Sequence, residues 1–149
     1  MAIEIDVQYA TDADGLPAAA DFHCWAAAAL GDREDAELAV RVVDREESRR
    51  LNAMYRGKDA PTNVLSFPAD LPPGVELPLL GDIVICAPLV EEEARGQNTT
   101  LMDHWAHLTV HGVLHLRGYD HLTDDEAAVM EALETRILTG LGCADPWRI

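Results

Sequence analysis

The sequence predicts a single α+β domain, residues 1–149, in which a small mixed sheet is packed with helices. A metal site is expected at the C-terminal end of one long helix and in the loop after it. Three observations carry that expectation. A chain of 149 residues, 48% of them hydrophobic, has the length of one domain and enough apolar side chain for a core. Segments with strand-like alternation and segments with helical periodicity interleave along it, without internal repeats or low-complexity tracts. Three of its six histidines fall between positions 111 and 121, spaced around a glycine.

Ile3, Ile5, Val7 and Tyr9 alternate with Glu4, Asp6 and Gln8, the period of a half-buried strand. Pro17 to Leu30 reads as a helix opened by proline, with Ala19, Phe22, Ala26 and Leu30 as its apolar stripe and Gly31 as its stop. Leu38 to Val43 is a second strand, and strand, helix, strand in that order suggests a parallel crossover pair. Asp44 is placed to cap the next helix, Glu47 to complete a capping box, and Gly57 to close it. Spacings of four, three and four put Arg45, Arg49, Asn52 and Arg56 near one stripe of that helix.

Residues 58–62 read as a loop. Asn63 to Phe67 and Asp82 to Cys86 read as short strands, joined by a segment with Pro68, Pro72, Pro73 and Pro78 that suits an exposed rim above a cleft. Pro88 opens a short helix, with Glu91, Glu92 and Glu93 near its positive end. Leu101 to Leu116 is a longer helix that Gly118 is placed to end. Thr123-Asp124-Asp125-Glu126 is a capping box for a last helix reaching about Leu141.

A net charge of −16 argues against broad adhesion to nucleic acid or to an anionic membrane. No run of about eighteen apolar residues exists, so no transmembrane helix is expected. The start, Met1 to Asp6, lacks the basic and apolar regions of a signal peptide. Cys24, Cys86 and Cys143 are widely spaced and odd in number, which fits a reducing compartment. A cytoplasmic location is the expectation. The basic residues are unevenly spread: Arg41, Arg45, Arg49, Arg50, Arg56 and Lys58 lie in one stretch whose only acids are Asp44, Glu46 and Glu47. That stretch is either a strip able to grip a polyanion or a solvated face with internal ion pairs.

Chemistry concentrates at His111-Gly112-Val113-Leu114-His115-Leu116-Arg117-Gly118-Tyr119-Asp120-His121. Histidines four apart project from one face of a helix, close enough to bind one ion. Gly118 allows a left-handed exit that returns His121 toward that ion. Three imidazoles leave tetrahedral zinc a fourth position for water, whereas structural sites are closed by a fourth protein ligand. The spacing is also that of the metzincin proteases, but their glutamate base after the first histidine is here Gly112. His104 and His107 lie on roughly the same face and Asp120 beside the third histidine, in reach of supporting roles; His23 reads as structural.

At these residues the chain resembles the YbeY family of bacterial rRNA maturation factors, described as metal-dependent endoribonucleases. The histidine segment looks like that family's signature. Arg56-Gly57-Lys58-Asp59-Ala60-Pro61-Thr62-Asn63-Val64-Leu65-Ser66-Phe67 resembles its second motif, and Leu80-Gly81-Asp82-Ile83-Val84-Ile85 its third. The match runs from about residue 38 to 141. Arg117 stands where leucine is common and is expected to face away from the ligands. The resemblance implies a four-stranded sheet, one Zn2+ at His111, His115 and His121, and a functional arginine at Arg56. It also implies single-stranded RNA as substrate, chiefly ribosomal, with maturation of the 16S rRNA 3′ end and ribosome quality control as roles. Ribosomes or ribosomal proteins would be partners.

On this reading Arg56 and the three histidines are the candidate catalytic residues. Arg45, Arg49, Arg56 and Lys58 are the candidate RNA contacts, and steep loss of binding with salt is expected of such a strip. Two other classes stay open: a metallopeptidase-like hydrolase with its base supplied from elsewhere, and a non-catalytic ribosome assembly factor whose zinc braces the loop at Gly118.

Overall fold

A computed structural model of the chain describes residues 3–33, 35–75 and 77–147. Its elements run β1 (Ile3–Ala10), α1 (Ala19–Leu30), β2 (Ala36–Val43), α2 (Arg45–Arg56), β3 (Val64–Pro68), β4 (Leu79–Cys86), α3 (Ala87–Gly96), α4 (Leu101–Leu116) and α5 (Asp124–Gly140). The four strands form one mixed sheet in the order β1-β2-β4-β3. β1, β2 and β4 are parallel, with Val7 opposite Val40 and Val40 opposite Ile83; β3 pairs antiparallel with β4, Ser66 facing Ile83. The α+β class and the parallel β1–α1–β2 crossover are as the sequence predicts.

Alternation sorts the strand residues between two faces. Leu38, Val40, Val42, Ile83 and Ile85 point into the main core, where Phe22 and Trp25 of α1, Trp105, Val110, Val113 and Leu114 of α4, and Met130 and Leu138 of α5 meet them. Trp105 and Phe22 pack edge to face with centroids 5.7 Å apart. Val43, Leu65, Val84 and Cys86 face the other way, toward Leu51 of α2. The sheet thus carries α1, α4 and α5 on one face and α2 on the other. Among the described residues no helix is long and apolar enough to cross a membrane.

Several local expectations need correction. α1 begins two residues beyond Pro17, Ala19 is exposed, and the Asp21 carboxylate accepts from the Ala18 N–H at 2.9 Å. Asp44 stands at the N-cap of α2 without capping it, because its carboxylate takes the Thr11 hydroxyl. Glu47 builds no box either: it accepts from Arg41 of β2 at 2.5 and 3.0 Å. Glu91, Glu92 and Glu93 sit past the first turn of α3, not at its positive end. They pair with Arg95, Arg45 and His104 respectively. Of the box expected at Thr123 the N-cap half forms, its hydroxyl accepting from the Glu126 N–H. The proline-rich connection is largely exposed, but of its prolines only Pro68 reaches the main cavity.

Candidate metal centre and its cavity

α4 lies across β3 and β4, and its position depends on Gly112. A Cβ there would stand 2.9 Å from Ile83 Cγ2 and 3.4 Å from two further Ile83 atoms. The absent glutamate therefore has a packing cause: this face of the helix is pressed onto the sheet. The Ser66 hydroxyl of β3 donates to the Gly112 carbonyl at 3.1 Å and ties the edge strand to the same turn. One turn on, α4 ends at Leu116 and Gly118 takes φ +97°, the left-handed exit the sequence predicts. Arg117 does face away, its Nη1 donating to the Ala29 carbonyl of α1 at 2.7 Å.

The backbone so bent brings the trio together. Ligating atoms of His111, His115 and His121 lie within 4.8 Å of one another. Ring centroids are 4.6 Å apart for His111 and His115, 5.0 Å for His115 and His121, and 5.6 Å for His111 and His121. His111 Nε2 and His115 Nε2 approach to 3.0 Å. Burial first, then repulsion from His111 and His121, holds the His115 pKa below its ordinary value, which favours the neutral ring that ligates metals.

Behind the trio lies a residue the sequence reading passed over. Glu134 of α5 is completely buried, and its Oε1 is 2.6 Å from His111 Nδ1 and 3.4 Å from His107 Nε2. Burial alone would raise its pKa; hydrogen bonding to the two histidines outweighs that and holds it at about 2. An ionised carboxylate only accepts, so the His111 proton resides on Nδ1 and the Nε2 lone pair is directed at the cavity. Without an ion, His115 Nε2–H can donate to that lone pair across 3.0 Å; with both nitrogens deprotonated, the same pair and His121 make a donor set that fits a metal ion.

His107, His111 and Glu134 form a second group of possible ligands. There the nitrogen–oxygen separation of 2.6 Å is that of a hydrogen bond; zinc bridging the two at its usual bond lengths would hold them roughly 3 Å apart or more. Glu134 had one signal in the sequence. Met130, Glu134 and Leu138 share a buried stripe of α5, so an acid occupies an apolar helical position.

The trio opens on a cavity of about 880 Å³ whose wall includes Arg56, Ser66, Tyr119, Asp120 and the exposed Tyr55. Arg56 arrives from the last turn of α2, and no ion pair engages it among the described residues. The other strip residues are placed differently. Arg45 pairs with Glu92, and Arg49 with Glu46 at 3.0 Å and Asp59 at 2.6 Å; neither lines this cavity, and neither does Lys58. Asp120 accepts from the His121 backbone N–H at 2.8 Å, which is turn chemistry and not a contact with the imidazole. His104 is buried against Glu93 at 2.8 Å, away from the trio.

A four-stranded α+β sheet presenting three convergent imidazoles to an open cavity, backed by a buried carboxylate, defines a candidate metallohydrolase. The chain belongs to the YbeY endoribonuclease family: residues 17–142 match the family model described as Endoribonuclease YbeY. The match begins well before residue 38 and takes in α1. Among solved structures, the chain is similar to the solution structure of TM1509 from Thermotoga maritima. Identity is 24% with a TM-score of 0.56, over 99% of this chain and 100% of that one. At that identity the likeness concerns the fold.

Proposed function

We propose that the chain is a zinc-dependent, single-strand-specific endoribonuclease of ribosomal RNA, acting on the 16S rRNA 3′ end and in ribosome quality control, in the cytoplasm and in contact with ribosomes. Family membership supplies the RNA substrate. The observation that carries the chemistry is the convergence of His111, His115 and His121 beside Arg56, which no ion pair engages among the described residues, in one cavity.

The three imidazoles would hold the ion, and when bound it supplies Lewis acidity toward a phosphoryl oxygen. The chain's own groups do the rest. The Arg56 guanidinium, planar and always charged, holds the phosphodiester and offsets charge that develops on its oxygens. Glu134 keeps His111 in the tautomer that ligates. A peptidase reading finds no base on α4, because Gly112 is packed against Ile83.

The test is cleavage of single-stranded ribosomal RNA by purified protein before metal removal, after chelation, and after zinc is restored. Activity lost and regained supports the reading. RNA left intact by the zinc-loaded protein over long incubation leaves a non-catalytic assembly factor in its place. Fragments ending in a 2′,3′-cyclic phosphate would mean attack by the RNA's own 2′-hydroxyl.

A further inference from the structure

His111 borders a second cavity besides the first. It measures about 570 Å³, opens between α3, α4 and the chain beyond α5, and shares Asn63, Val64 and His111 with the main one. Its chemistry differs. Arg56 lines the first cavity, whereas among the described residues no lysine or arginine lines the second, and Glu93 gives it negative character. With the Glu93 carboxylate on its wall, the cavity suits an uncharged ring better than a phosphate group. The floor is already built, with Asn63 Nδ2 donating to the two Glu93 oxygens at 3.1 and 3.3 Å and His104 against the same carboxylate at 2.8 Å.

The wall holds the aromatic group. Trp147 is 47% exposed, while Trp25 and Trp105 are 8% and 1% exposed. Leaving that much indole in water forgoes a large gain from burial. His107 steadies the ring in a T-shaped contact at 5.4 Å, with the remaining indole surface open. The exposed aromatic rings of the described chain are Tyr9, Tyr55 and Trp147. Tyr9 is tied by its hydroxyl to the Pro17 carbonyl; the other two line cavities that meet at His111.

We propose that the second cavity is a nucleobase subsite. With the phosphodiester at Arg56 and the trio, the adjoining base enters between α3 and the C-terminal turn, stacks on Trp147, and turns its edge to Gln97 and Glu93. This rests on the RNA reading above and supplies a physical reason for single-strand selectivity: a base held in a duplex cannot leave its stack to fill the cavity.

The experiment mixes metal-loaded protein with a short single-stranded RNA, or with inorganic polyphosphate, and follows tryptophan emission before turnover. The other two tryptophans are buried, so quenching reports Trp147. RNA should quench and polyphosphate should not. Trp147→Ala should weaken RNA binding about tenfold, and Trp147→Phe should recover most of it, since stacking needs a flat ring more than an indole. Quenching by polyphosphate as strong as by RNA would overturn the subsite, as would RNA binding that leaves emission unchanged or is as tight in Trp147→Ala as in wild type. Cleavage read in the same samples separates the two ideas. Quenching without cleavage removes the endoribonuclease reading and keeps the subsite; cleavage indifferent to Trp147 does the reverse.

Discussion

Glu134 touches His111 directly, whereas Arg56 lines the cavity on which the trio opens, and their substitution should have separable effects. Glu134→Gln keeps the shape but removes the charge that holds the proton on His111 Nδ1. Metal affinity should fall about 10- to 100-fold, measured by competition with a chelator, since partners of ligating histidines carry effects of that size. Unchanged affinity would mean that the 2.6 Å contact serves packing alone. Arg56→Ala should leave metal content at the wild-type level and lower cleavage about 100- to 1,000-fold, the usual effect of removing one group that stabilises transition-state charge. Equal cleavage rates in mutant and wild type would remove Arg56 from the mechanism. The histidines could be read from their local spacing, and Arg56 from the resemblance of residues 56–67 to a family motif. The sequence hid Glu134, since an acid on a helix ordinarily faces water and only the packing of α5 on α4 reveals its partner.

At the level of elements, α4 and the sheet fit through Gly112. Gly112→Ala should destabilise the protein by about 1–3 kcal/mol in urea unfolding, the usual range for overpacking. The Gly112→Ala/Ile83→Ala pair should cost less than the sum of the two single changes, because Ile83 is the side chain the new methyl meets. Strict additivity would place the strain elsewhere. Strand alternation, the Thr123 cap and the Gly118 exit could all be read along the chain, since each depends on residues a few positions apart. The caps assigned to Asp44 and Glu47 could not. Thr11, which follows β1, and Arg41, on the strand before α2, compete for those carboxylates and win.

Across the whole molecule, charge decides how RNA is met and how acid is tolerated. Arg45 and Arg49 are already ion-paired, so far fewer cations than the full strip are free to displace counterions. For single strands the logarithmic salt slope is roughly −0.7 per phosphate contact, so one or two contacts give a slope near −1, and a strip of four about −3. Titration of RNA binding against salt should give the shallower value; the steeper one would restore the strip. Acid should act on the metal-free protein in two stages. His115 has its pKa depressed from 6.5, so the folded state binds fewer protons than the unfolded chain, and stability declines as pH falls through that range. Glu134, lowered from 4.5 to about 2, contributes stability above the ordinary carboxylate range that is lost as pH falls from there toward 2. Melting temperatures from pH 8 to 3 would show both declines, and a flat profile would contradict the burial of His115 and the hydrogen bonding of Glu134 to His107 and His111.

The most direct test is metal analysis of the purified protein, wild type beside His115→Ala and His121→Ala. One zinc per chain in the wild type, and little in either variant while both remain folded, is the expected result. Full metal content in a folded variant that lacks one imidazole, or a folded wild type that takes up no metal, would contradict a centre built from His111, His115 and His121.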